Sequence, residues 1–110
     1  NLSCAVLTET DCMEASFEKG NLEGAVLSKS ILHSANLEGA NLKKTSFFDA
    51  NLIRAKMKGA NLELTNLIDS SLQWVNFEGA NLKGANFTGA NLKAAKFQGS
   101  NHTEAIGLPF

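Results

Sequence analysis

One apolar residue recurs every five positions, without exception, for most of the chain. Starting at Leu2 and stepping by five, the series runs through Leu7, Cys12, Phe17 and Leu22 to Phe97, giving 20 consecutive apolar residues in a single phase. We call this position i. His102 and Gly107 then interrupt the series. Two residues before it, at i−2, the side chain is always small: every occupant from Ala5 to Ala105 is Ala, Ser, Thr, Gly or Val. The residue between, i−1, holds all twelve asparagines of the chain, and seven of its nine glycines fall at i+2. Such self-similarity is the mark of a repeat architecture and takes precedence over any other reading.

A period of five suits neither regular element. In an α-helix five residues advance about 140° past a full turn, so the large residues would spiral around the cylinder. In an extended strand an odd period sends successive residues to opposite faces. One large side chain in five can point inward throughout only if the chain bends once per repeat. Glycine at i+2 removes the Cβ strain from such a bend, and asparagine tolerates the neighbouring special conformations. A bend of about a right angle closes a square after four repeats, or 20 residues. Columns at that spacing are present: Leu2, Leu22, Leu42, Leu62 and Leu82 form one, the asparagines from Asn1 to Asn101 another, and Gly39, Gly59, Gly79 and Gly99 a third. Glu23, Lys43, Glu63 and Lys83 alternate in sign down a fourth, which suits stacking of opposed charges.

The segments Ala40-Asn41-Leu42-Lys43-Lys44, Ala60-Asn61-Leu62-Glu63-Leu64, Ala80-Asn81-Leu82-Lys83-Gly84 and Ala90-Asn91-Leu92-Lys93-Ala94 fit the motif Ala-(Asn/Asp)-Leu-X-X. In this the chain resembles the pentapeptide-repeat family over nearly its whole length. The resemblance implies an all-β fold, a right-handed quadrilateral β-helix with i and i−2 inward and i−1, i+1 and i+2 outward. Departures from Asn or Asp at i−1 include Val6, Val26, Ile31, Lys56 and Lys96, and the first 35 residues read as the least regular. The expected organisation is about five coils over residues 1–100 and a short C-terminal cap at 101–110, where Pro109 cannot donate to a further coil and Phe110 can fold over the last layer. His102 is expected inward, closing the core. The asparagine column is expected to hydrogen-bond from coil to coil, as stacked amides do. The chain begins mid-repeat at Asn1-Leu2, which keeps open a segment of a larger effector or signalling protein.

Few reactive residues stand together. His33 is expected outside and several coils from His102, Cys12 inward as a small hydrophobe and Cys4 outward. No catalytic, cofactor or metal site is expected, and the chain is read as no enzyme. Ten Lys+Arg against 11 Asp+Glu give a net charge of −1, and no basic excess points to nucleic acid. No apolar run approaches the roughly 20 residues of a membrane span. No targeting segment opens the chain, so a cytoplasmic location is expected.

The informative residues are apolar ones in outward phases. Phe48, Ile53 and Ile68 stand at i+1, Leu64 and Trp74 at i+2, all within residues 48–74. Phe48 and Ile68 should stack on one face, Leu64 at the corner leading into it, Ile53 and Trp74 on the next face and its far corner. Val6 and Val26 add a second stacked pair. Contiguous exposed apolar area marks interfaces, and Trp is enriched at binding hot spots. These residues form the candidate patch for a protein partner, with a second copy of the chain as an alternative occupant and no small-molecule substrate. The expected function is a non-catalytic interaction scaffold. The alternative is a DNA mimic acting on a type II topoisomerase, as in quinolone-resistance relatives. Charge weighs against it: duplex DNA carries one negative charge per about 1.7 Å, so a rod of about 26 Å would need roughly 15 net negatives.

Overall fold

The computed structural model describes residues 1–110, and it winds as a β-helix with a 20-residue coil. Every interior i−1 residue forms a parallel bridge with the residues 20 before and 20 after it, from Val6↔Val26 to Asn86↔Ile106. Four bridged residues per coil define four sides. Side 1 is centred on Leu2, Leu22, Leu42, Leu62 and Leu82. Sides 2, 3 and 4 follow in chain order, centred on the columns that begin at Leu7, Cys12 and Phe17. Each side is one bridge wide, because the turn between sides consumes the rest of the repeat. The molecule is a rod of 31 × 21 × 19 Å.

The backbone accounts for itself within each repeat. At Leu42 the amide at i donates to the i−1 carbonyl of the next coil (Asn61, 2.7 Å), and the amide at i+2 to its i+1 carbonyl (Lys44 N to Glu63 O, 3.0 Å). The amide three residues past i closes the turn on the i carbonyl (Thr45 N to Leu42 O, 3.0 Å). The i−1 amide reaches back to the preceding coil (Asn61 N to Ala40 O, 2.9 Å). One donor remains, the amide at i+1, and it decides the residue at i−1. All twelve asparagines accept from it through Oδ1, as Asn41 does from Lys43 N at 3.1 Å and Asn66 from Ile68 N at 2.9 Å. Asparagine is therefore first a local turn cap. The amide ladder expected between coils is secondary and incomplete: Asn41, Asn81 and Asn101 donate to the asparagine 20 residues earlier at 3.3–3.4 Å.

Each turn also sets the i+2 residue at positive φ, the geometry that type II turns require. The φ values fall between 55° and 73° at every i+2 position from Cys4 to Glu104. Fourteen of these residues are not glycine, so the bend does not depend on glycine. It is imposed by the bridges and the inward pull of the core.

That core is a continuous column. Every i residue from Leu22 to Phe87 is buried, together with the Ala, Ser, Thr or Val at each i−2 from Ala25 to Ala85. Leu42, Phe47, Leu52 and Met57 have no solvent exposure. The buried threonine hydroxyls are satisfied across coils, Thr45 Oγ1 donating to Leu22 O and Thr65 Oγ1 to Leu42 O, both at 2.7 Å, and those of Ser30 and Ser70 within their own repeats, to Leu27 O and Leu67 O. Burial of each Leu or Phe contributes roughly 1.5–3 kcal/mol.

The end coils differ because each has a neighbour on one side only. Leu2, Leu7, Cys12, Phe17, Leu92 and Phe97 are half-buried against the column. His102 corrects an expectation: it continues the i phase, yet it is exposed, with no further layer to cover it. Phe110 lies edge-on to Phe97 (5.2 Å) and to His102 (5.1 Å). Repeat geometry itself runs to Ile106, which bridges Asn86.

Candidate functional site

The outward positions, i−1 and i+1, are sorted by side. Side 1 shows six asparagines and the column Glu23, Lys43, Glu63, Lys83. In that column Glu23 accepts a hydrogen bond from Asn41 Nδ2 at 3.3 Å. Side 4 carries Lys56 and Lys96 at i−1 and Glu18, Glu38, Lys58 and Glu78 at i+1. A shallow open groove of ≈ 380 Å³ runs along the corner between sides 4 and 1, lined by Glu18, Lys19, Glu38, Gly39, Lys58 and Gly59 with no hydrophobic residue. It exists because Gly39 and Gly59 leave that corner without side chains.

Sides 2 and 3 are of the opposite character. From Val6 to Ile106 no charged residue occupies i−1 or i+1 on side 2: the i−1 column is Val6, Val26, Ser46, Asn66, Asn86, Ile106, and the i+1 column is Thr8, Ser28, Phe48, Ile68, Thr88. Side 3 has only Asp11 and Lys93 charged at these positions, and carries Met13, Ile31 and Ile53. Turn geometry places each candidate residue. Phe48 and Ile68 are consecutive members of one column, joined through Asp49 N to Ile68 O at 2.9 Å. Ile53 and Trp74 share the corner between sides 3 and 4, in adjacent coils. Leu64 stands apart, on the corner between sides 1 and 2, where its side chain lies over Gly84: a Cβ there would meet Leu64 Cδ2 at 2.8 Å.

The five candidate residues thus occupy three successive corners of a square prism. Leu64 and Trp74 are diagonally opposed, so one flat partner cannot touch both. Phe48 is 36% exposed, Leu64 50% and Trp74 52%, whereas Ile53 and Ile68 are half-buried. The Arg54 guanidinium carbon stands 5.3 Å from the Trp74 ring centroid, within cation–π range. Beside Trp74 in the chain, Gln73 Oε1 is buried without a hydrogen-bond partner. Met13 and Ile31 are exposed apolar residues on side 3 that sequence reasoning left out of the patch. Ile31 was visible as an irregular i−1 position. Met13 had the same outward phase as Ile53 but lay 35 residues away from the segment that drew notice.

No group of three His, Cys, Asp or Glu is placed to hold a metal ion. Cys4 is exposed and Cys12 half-buried, and both are free thiols. No helix is long and apolar enough to cross a membrane.

Comparison with known proteins agrees with this geometry. A family model described as a pentapeptide repeat region matches residues 30–105, and one described as pentapeptide repeats (8 copies) matches residues 10–47. No curated protein sequence matches. Among solved structures, the pentapeptide repeat protein Rfr23 from the cyanobacterium Cyanothece 51142 is 29% identical with a TM-score of 0.63, over 92% of this chain and 83% of that one. A pentapeptide repeat protein from the Arabidopsis thaliana thylakoid lumen is 27% identical with a TM-score of 0.54, over 93% and 67%. QnrB1, a plasmid-mediated fluoroquinolone resistance protein in trypsin-treated form, is 19% identical with a TM-score of 0.57, over 82% and 51%. At that identity the likeness is one of fold alone.

Proposed function

The chain belongs to the pentapeptide-repeat family, and from that membership we propose that it is a non-catalytic scaffold which docks another protein on sides 2 and 3. The fold is taken as the right-handed quadrilateral form, with residues 101–110 closing the C-terminal end; the edge-on packing of Phe110 on Phe97 supports that closure. The observation that carries the reading is the segregation of the surface. At i−1 and i+1 ten of the twelve charged residues lie on sides 1 and 4, whereas the exposed apolar residues Val6, Met13, Ile31, Phe48 and Ile106 lie on sides 2 and 3; the i+2 corners carry charge all round. Solvation alone gives no reason for such a division, because all four sides of an isolated rod face the same water. Interface cores are depleted in charge and enriched in Trp, Phe, Met and Arg, the composition around Trp74, Arg54, Phe48 and Met13.

Side 3 and its far corner, with Ile53, Trp74 and Arg54, form the principal docking surface for a foreign protein. Trp74 is its anchor. DNA mimicry is not adopted, because a net charge of −1 supplies almost none of the negative field that duplex DNA presents.

The test is quantitative capture of partner proteins by immobilised wild-type chain, Trp74→Ala, Ile53→Glu and a side 1 control, Lys43→Glu. The reading expects the captured partner to be lost from the first two variants and retained by the control. Equal capture by all four chains would refute it.

A further inference from the structure

We propose that side 2 is a self-association face on which two copies of this chain stack antiparallel, about a two-fold axis crossing the rod between the levels of Phe48 and Ile68. The inference rests on the reading of side 2 as a docking face and names its occupant.

The first argument is charge. An isologous interface sets a surface against itself, so any uncompensated charge near its own image repels. Sides 1 and 4 carry four and six charged residues at i−1 and i+1. Side 2 carries none there from Val6 to Ile106. It is the one side of the prism that a copy of itself can cover without burying a charge at i−1 or i+1.

Symmetry supplies the second argument. A two-fold axis perpendicular to the rod, halfway along side 2, sets each column against its own reversed image. The i+1 column reads Thr8, Ser28, Phe48, Ile68, Thr88. Reversal places Phe48 on Ile68 of the second copy, twice, and Ser28 on Thr88. In the i−1 column it places Val6 on Ile106 and Ser46 on Asn66. Apolar residues meet apolar ones in the central i+1 pair and the end i−1 pair, and Ser28/Thr88 and Ser46/Asn66 pair polar with polar; Val26 meets Asn86, and Thr8 has no counterpart in its column. The parallel arrangement lacks this match, since it sets Phe48 against Ser46 and Ile68 against Asn66.

Area is the third. One side of a rod 31 Å long and about 20 Å wide offers on the order of 600 Å². A pair would bury on the order of 1,200 Å² in all, the lower bound for a specific interface of about 1,200–2,000 Å². Reaching it takes a partner that is flat over the full length of the side, which a second copy provides. One feature opposes the pairing: the corner after side 2 carries Glu9, Lys29, Asp49 and Asp69, and the two-fold brings Asp49 toward Asp69 of the second copy. Association is therefore predicted to be weak at low ionic strength and to strengthen with salt.

The experiment is light scattering and sedimentation of the purified chain, across a concentration series at low and high salt. Wild type is expected to move from the 11.7 kDa monomer toward twice that mass, and Asp49→Asn to do so at several-fold lower concentration. Phe48→Lys and Ile68→Glu should each remain monomeric at concentrations where wild type is paired. Because residue 48 faces residue 68 of the second copy, the double variant Phe48→Lys/Ile68→Glu should recover pairing. Trp74→Ala should pair as wild type does, which separates this face from the docking surface around Trp74. Each altered side chain points outward, and circular dichroism confirms that the β-helix is retained. Wild type that stays monomeric throughout, or single variants that pair normally, would overturn the proposal. Failure of the double variant to recover would overturn the antiparallel arrangement.

Discussion

Arg54 and Trp74 face each other across adjacent coils at one corner of the prism, 5.3 Å from guanidinium carbon to ring centroid, and both hold left-handed backbone, at φ of 61° and 65°. Each such conformation costs a non-glycine residue about 1–2 kcal/mol, whereas an exposed cation–π contact returns about 0.5–1 kcal/mol. The contact does not offset the strain. Trp74 therefore serves stability poorly, and its position is better understood as display. Replacing it with glycine relieves the strain and removes the contact, while the more flexible unfolded chain costs about 0.5–1 kcal/mol. Trp74→Gly is predicted to lie within about 1 kcal/mol of wild type in urea unfolding, against the 3–5 kcal/mol typical of losing a buried aromatic. Partner capture should nevertheless fall.

The turn-capping role of asparagine makes a stabilising substitution predictable. Lys56 occupies an i−1 position and cannot accept from the amide of Lys58, which has no partner in the backbone network. Lys56→Asn is expected to supply that cap and gain about 0.5–1.5 kcal/mol. Asn66→Ala should lose a similar amount by uncapping Ile68. Paired urea midpoints of the two variants decide the matter. If Lys56→Asn is neutral while Asn66→Ala is costly, capping by itself is not what selects asparagine at i−1.

The inward column was legible because burial of one residue in five leaves a trace in every repeat, and Leu42, Phe47, Leu52 and Met57 lie where that trace puts them. The role of the asparagines was less legible. Their 20-residue spacing advertises a ladder, but spacing is blind to which donor is left over once the backbone has paired, and that donor is the i+1 amide of the same repeat. Positive φ at Leu64, Trp74 and twelve other non-glycine residues was hidden for a related reason. Glycine at i+2 signals the bend where it occurs, while elsewhere the coils on either side enforce it. His102 kept the phase and lost the burial, because phase records direction and not whether a next layer exists. For the candidate patch, outward direction could be read residue by residue. The division of charge between sides required the coil to be closed before Met13, Ile31 and Phe48 could be seen as one half of a surface.

Nearest-neighbour stacking makes the cost of a cavity depend on the coil. Leu52 is fully buried between coils on both sides, while Leu92 is half-buried with one. Leu52→Ala is predicted to lose about 2–5 kcal/mol and Leu92→Ala about half as much. Hydrogen exchange should separate them further. Loss at Leu92 should open only the last coils, whereas loss at Leu52 should weaken protection on both sides of the gap, as expected of a one-dimensional array.

Two glycines at positive φ separate strain from collision. Gly59, at 68°, has nothing within 4 Å of where a Cβ would stand, so Gly59→Ala should cost only the conformational penalty of about 1–2 kcal/mol. Gly107, at 82°, is different: its Cβ would come within 2.7 Å of Thr88 N and 2.8 Å of the Phe87 carbonyl carbon. Backbone cannot yield as a side-chain tip can. The bridge between Asn86 and Ile106 would have to part, carrying Phe110 away from Phe97 and His102. Gly107→Ala is therefore expected to cost more than Gly59→Ala and to act locally, releasing residues 106–110 while the interior coils keep their exchange protection. Equal costs for the two substitutions would mean that the contact of Gly107 with the Phe87–Thr88 backbone is not what fastens that segment.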